Sequence, residues 1–275
     1  MVPMMTIIAC VITLTVTLVL PVAVLIVFAG KNKKQGIVSA WLLGAAGFFV
    51  TQILIRVPVL TALQGQNWFT GFSQNHLFLY AFALAFTAGL FELAGRFGAA
   101  KCLAKKLTWK RALAAGLGHG GIEAMLLIGM AYVNNLAYIA MINTGSFDTA
   151  LVQTASMGMD VSQLEMIRTQ LLEMPSAIFL LGGFERILAM TAQTAMSVLV
   201  CWGVHRKKLL PCLLACLGIH TFIDLTAGLS LVLPQNIAYV LIYGILIAVA
   251  AASLRILKAI RRRWQEEEVA YDSEK

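Results

Sequence analysis

The sequence predicts an all-α fold: a polytopic membrane bundle of about seven transmembrane helices, N-terminus outside and C-terminus cytosolic. Three observations carry this. First, 60% of the 275 residues are apolar and only 12% are charged, with a mean hydropathy of +0.83. A soluble domain carries about 25% charged residues. Second, the apolar residues run in blocks of the length that spans a bilayer, roughly 18 residues or more. Third, lysine and arginine gather between the blocks, on alternate connections. Together these exclude a soluble enzyme, a disordered chain and a nucleic-acid partner. The net charge of +8 is dispersed and forms no contiguous patch with interleaved aromatics.

The apolar segments run over 4–29, 37–60, 76–98, 111–133, 176–203, 209–233 and 236–257. The first has no basic residue before Lys31 and exceeds the roughly 7–15 residues of a signal-peptide core. It therefore reads as a spanning helix, bent at Pro21. The fourth extends toward Ile142, because 138–142 stays apolar beyond Asn134 and Asn135. One set of connections holds Lys31, Lys33 and Lys34, then Lys101, Lys105, Lys106, Lys110 and Arg111, then Arg206, Lys207 and Lys208. With the C-terminal stretch they account for seventeen of the 21 basic residues. The opposite connections hold only Arg168. That asymmetry sets the predicted orientation.

The connection 143–175 is the one long loop. Within it 161–174 carries apolar residues at helical spacing after Asp160, an N-cap type. This predicts an amphipathic helix, lying on the outer membrane surface or packed on the bundle. The acidic stretch 265–275 is expected to be disordered, leaving 1–264 as a single integral membrane domain. Cys10, Cys102, Cys201, Cys212 and Cys216 show no disulfide-framework spacing and are expected to be reduced.

Ionisable groups inside spanning helices are the informative residues, since each costs roughly 2.5–3.5 kcal/mol at mid-bilayer on insertion scales. The segments contain Arg56, Glu92, Arg96, His119, Glu123, Glu185, Arg186, His220 and Asp224. Three pairs are four residues apart: Glu92 with Arg96, His119 with Glu123, and His220 with Asp224. Each pair shares a helix face. Glu185 and Arg186 are adjacent and point about 100° apart. At 1.5 Å per residue, Glu92 and His119 lie roughly 10–12 Å from the basic ends of their helices and His220 roughly 16 Å. Those three are expected to meet, with Glu123 and Asp224 a turn deeper and Glu185 nearer the outer half. Glycines 116, 118, 120 and 121 around His119 admit close backbone approach. Arg56, next to Pro58, reads as a snorkelling side chain, and His76 and His205 as interfacial. Two structural readings stay open: Glu92 with Arg96 as an intrahelical ion pair, and Glu185 with Arg186 as a packing pair.

At these motifs the chain resembles the YhfC family of intramembrane proteases, grouped with CAAX-prenyl-protease-like membrane enzymes. The residues that carry the resemblance are GHGGIE over 118–123, FER over 184–186, His220-x-x-x-Asp224 and, before them, Glu92-x-x-x-Arg96. GHGGIE is the most specific. The wider superfamily pattern is Glu-Glu-x-x-x-Arg, a lone His on the next helix, then His-x-x-x-Asn. Glu92 and Arg96 match the end of the first motif, His119 the lone His, and His220 the last His. Phe91 stands where the pattern has its first Glu, and Asp224 where it has Asn.

The resemblance implies hydrolysis of a peptide bond in a membrane-anchored peptide or protein, in a bacterial plasma membrane. Two mechanisms are open. In one, His119, Glu123, His220 and Asp224 hold zinc and Glu92 is the base, although no HExxH motif is present. In the other, Glu92 or Glu123 is a metal-free base, His119 orients water and His220 polarises the scissile carbonyl. Arg96 and Glu185 complete the candidate site. Two further function classes remain: a catalytically silent scaffold or chaperone, and a proton-coupled transporter. The transporter predicts inverted repeats, which the sequence does not show.

Overall fold

The computed structural model describes residues 1–231 and 233–273. It is helical, with no strand among the described residues. In chain order the helices are α1 (Met4–Lys31), α2 (Ile37–Gln64), α3 (Asn67–Asn75), α4 (Leu77–Lys106) and α5 (Trp109–Thr144). They continue with α6 (Ser146–Ser156), α7 (Ser162–Glu173), α8 (Ser176–His205), α9 (Leu209–Ala227) and α10 (Gln235–Ser273). Among the described residues seven are long and apolar enough to cross a membrane: α1, α2, α4, α5, α8, α9 and the part of α10 up to Glu267. They follow the apolar segments in order. A helix closes its backbone hydrogen bonds within itself, which is what hydrocarbon demands of a single spanning segment.

Local sequence explains the first departure from regular helix. Pro21 has no N–H to offer the preceding turn, and α1 widens into π-type turns over Thr15–Val19 just before it. The hydroxyls of Thr15 and Thr17 donate to the carbonyls of Val11 (2.8 Å) and Thr13 (2.9 Å). α5 runs on through 138–142. α7 falls inside the predicted 161–174. Its N-cap position is Val161, while Asp160 accepts the Ser162 N–H (2.9 Å) and hydroxyl (2.8 Å). The backbone bond, with the hydroxyl's help, holds the Asp160 carboxyl below the usual carboxylate range. α3 and α6 lie in stretches that the sequence reads as connections. Arg168 of α7 reaches Asp148 of α6 at 2.6 Å. The acidic stretch expected to be disordered from 265 instead continues α10 as helix through Ser273. Residues 274 and 275 of that expectation lie outside the described residues.

Within the stretch read as one domain, the chain groups into two compact units. One comprises Met1–Ala23 and Ala124–Ile187. Its core holds Ala9, Cys10, Ile139, Leu171 and Phe179, so α7 contributes a buried leucine to it. The Phe179 carbonyl accepts from Thr13 and from Tyr132, both at 2.7 Å.

The other unit comprises Val24–Glu123 and the chain from Leu188 onward. One of its cores sets Ala40, Trp41 and Ala45 of α2 against Ala114 and Ala115 of α5. Another joins Ala100, Met196, Val198, Val200, Trp202 and Trp264. Small residues bring these backbones together. A methyl on Gly118 of α5 would overlap the Trp41 carbonyl of α2, and one on Gly95 of α4 would overlap the Gly47 carbonyl of α2. α2 thus lies against both α4 and α5, and the residues one position along, Arg96 and His119, are buried.

Candidate functional site

Five helix segments of this second unit bring polar side chains to one buried cluster. α4 supplies Glu92 and Arg96, α5 His119 and Glu123, α9 His220, α2 Gln52 and α8 Gln193, and all seven are buried. The i, i+4 spacing puts both members of the α4 and α5 pairs on the inward face, as the sequence predicts. Glu92 is the hub, at 5% exposure. Its Oε2 accepts from Arg96 Nη2 at 2.8 Å, faces His119 Nε2 at 3.0 Å and takes Gln193 Nε2 at 3.3 Å. Its Oε1 accepts from Gln52 Nε2 at 3.0 Å. Phe48 of α2 lies edge-on to the His119 ring, centroids 5.4 Å apart.

His220 joins through Nδ1, which lies 3.6 Å from Glu92 Oε2 and 3.5 Å from Arg96 Nη2. Its Nε2 faces Asp224 Oδ2 at 3.2 Å. Asp224 therefore stands on the far side of the imidazole, with its side chain 35% exposed. The four-ligand set His119, Glu123, His220 and Asp224 is not the one brought together. Instead Glu92, His119 and Glu123 each present a ligand atom, all within 4.8 Å of one another. The reason is rotational: one imidazole meets Asp224 through one nitrogen and the Glu92 hub through the other. Glu185 belongs to the first unit, where it pairs with Arg186.

Three further neighbours surround these residues: Gln193, Gln52 and Arg56. Gln193 donates from its amide nitrogen to Glu123 Oε2 and accepts from Arg96 at its amide oxygen. Gln52 also donates to the Ala88 carbonyl at 3.1 Å. Arg56 does not snorkel. Its guanidinium donates to the Leu84 carbonyl (2.7 Å) and to Gln52 Oε1 (3.3 Å), tying it to α4. The available signal was the i, i+4 spacing of Gln52 and Arg56 on a spanning helix.

The donor set fits a divalent cation of the zinc class. One imidazole and two carboxylates are ligand types zinc accepts, and two carboxylates leave a negative balance beside the single Arg96. His119 Nδ1, the nitrogen turned away from Glu92, has no hydrogen-bond partner among the described residues.

Comparison with known proteins identifies the family. The family model described as YhfC intramembrane metalloprotease matches residues 16–259, a span that includes every residue of the cluster. A Bacillus subtilis (strain 168) protein named "Uncharacterized membrane protein YhfC" is 33% identical over 195 residues, covering 70% of this chain and 73% of that protein. No solved structure matches the chain. A match over nearly the whole length, on an integral membrane protein with a buried Glu/His/Glu group, places the chain in the YhfC intramembrane metalloprotease family.

Proposed function

We propose that the chain is an intramembrane endopeptidase that hydrolyses a peptide bond in a membrane-anchored peptide or protein. The observation that carries this reading is the group Glu92, His119 and Glu123, three potential ligands within 4.8 Å on helices that cross the membrane. Hydrocarbon penalises each ionisable group, so a cluster of them marks a site. Glu92, His119 and Glu123 would hold zinc. Bound there, zinc supplies Lewis acidity of the kind that brings the pKa of water to about 7.

The chain's own residues divide the remaining work. Glu92 faces four side-chain partners, which hold its carboxylate in place as the anchor of the cluster. Proton transfer is assigned to Glu123, whose two carboxylate oxygens would divide the ligand and proton-transfer roles. As water oxygen bonds to the scissile carbonyl carbon, Glu123 takes the proton, then delivers it to the departing amide nitrogen as the C–N bond breaks. Arg96 Nη1 has no acceptor among the described residues, and it offers positive charge to the developing carbonyl oxygen. Asp224 lies 3.2 Å from His220 Nε2, on the side of the ring away from Glu92.

One observation favours the scaffold reading: the same four donors on Glu92 also describe a satisfied structural network. Purified protein in lipid nanodiscs, presented with membrane-anchored reporter peptides, separates the two. Cleavage by wild type is expected to fall by about 10²-fold or more in Glu123→Gln, the usual contribution of a proton-transfer group. His220→Ala and chelator treatment should abolish most of it. Cleavage untouched by all three would end the protease reading, and an inert wild type whose variants lose folding would favour the scaffold.

A further inference from the structure

Gln193 is the one buried member of the cluster that carries no charge yet touches three charged partners. Its orientation follows from chemistry. Arg96 has donors and no acceptor, so the Gln193 atom facing it is the amide oxygen. The amide nitrogen is then turned to the glutamates, where it donates to both Glu92 Oε2 and Glu123 Oε2. A single planar amide thereby joins a carboxylate of α4 to a carboxylate of α5 and is held in register by the guanidinium of α4.

The seat for this amide is shaped by Gly120. A methyl there would meet Gln193 Cβ at 3.0 Å and Met190 Cα at 3.2 Å, tighter than ordinary carbon contact. GHGGIE thus serves α8 as well as α5: the glycine after His119 admits the helix that carries the amide.

We propose that Gln193 is a positioning residue, holding the Glu92 and Glu123 carboxylates at the spacing that ligand binding and proton transfer require. Two carboxylates this close repel, and a shared amide donor offsets that by giving both an N–H. The role rests on the protease reading for its catalytic consequence, but not for its structural one.

Gln193→Met keeps side-chain length and fills the apolar volume while removing every hydrogen bond. Ser197→Ala is the control: Ser197 lies one turn along the same helix, is equally buried, and its hydroxyl has no hydrogen-bond partner among the described residues. Three measurements apply to the full-length protein in nanodiscs. Zinc affinity, read by chelator competition, is expected to weaken about 10–100-fold in Gln193→Met, as for other partners of metal ligands, and to stay put in Ser197→Ala. Reporter cleavage should lose kcat with KM unchanged. Carbodiimide labelling of Glu92 and Glu123, read by mass spectrometry, should rise in Gln193→Met alone, because the amide no longer holds the two oxygens as acceptors. If wild type neither binds zinc nor cleaves, the proposed function falls and the labelling alone decides. Labelling equal in wild type, Gln193→Met and Ser197→Ala would overturn the positioning role.

Discussion

Each side chain of the cluster has a separable consequence. His220 faces Glu92 and Arg96 with one nitrogen and Asp224 with the other. Asp224→Asn keeps the shape but weakens the grip on the ring, so cleavage should fall, by less than in His220→Ala; kcat values of the two variants check the ranking. Gln52→Leu leaves Glu92 Oε1 without its amide partner and the Arg56 guanidinium without one of its acceptors. A buried acceptor left unpaired costs about 1–3 kcal/mol, which should appear as a lower midpoint in thermal unfolding. Glu92, His119, Glu123 and His220 were legible in the sequence because lipid makes every ionisable group conspicuous. Gln52 and Gln193 were not, since a neutral amide on a spanning helix raises no comparable alarm. Asp224 lies beside His220, but which imidazole nitrogen it meets depends on ring rotation, which spacing does not encode.

At the scale of helices, close packing of α2 with α4 and α5 rests on residues without side chains. Gly118→Ala would drive a methyl into the Trp41 carbonyl, whereas a methyl on Gly98 of α4 meets nothing within 4 Å. Gly118→Ala should therefore destabilise by about 1–3 kcal/mol, the range for overpacked sites. Gly98→Ala should stay within about 0.5 kcal/mol of wild type, as surface changes do. Comparing the two melting curves checks the account. Span number and order were readable because bilayer thickness dictates length. Three elements differ from the sequence reading: α3 and α6, which fall in stretches read as connections, and the acidic end of α10. α6 is short and weakly patterned, and the acidic stretch looks unstructured by composition, yet 265–273 contains no Gly or Pro to stop a helix already running from Gln235. The helix continues.

For the whole molecule, the basic residues propose an orientation. Seventeen of 21 lie on connections that alternation assigns to one side, so a C-terminal tag should be shielded from an impermeant reagent added outside intact cells and exposed in inverted vesicles. An N-terminal tag should give the opposite pattern. The central claim is that the Glu92, His119 and Glu123 group is a metal centre inside a membrane protein of this family. Zinc-edge X-ray absorption on the purified protein tests it most directly, because the chain also carries five free cysteines that compete as ligands. The account predicts a first shell of nitrogen and oxygen only, with an imidazole signature lost in His119→Ala. A sulfur shell, or zinc retained unchanged in that variant, would contradict it.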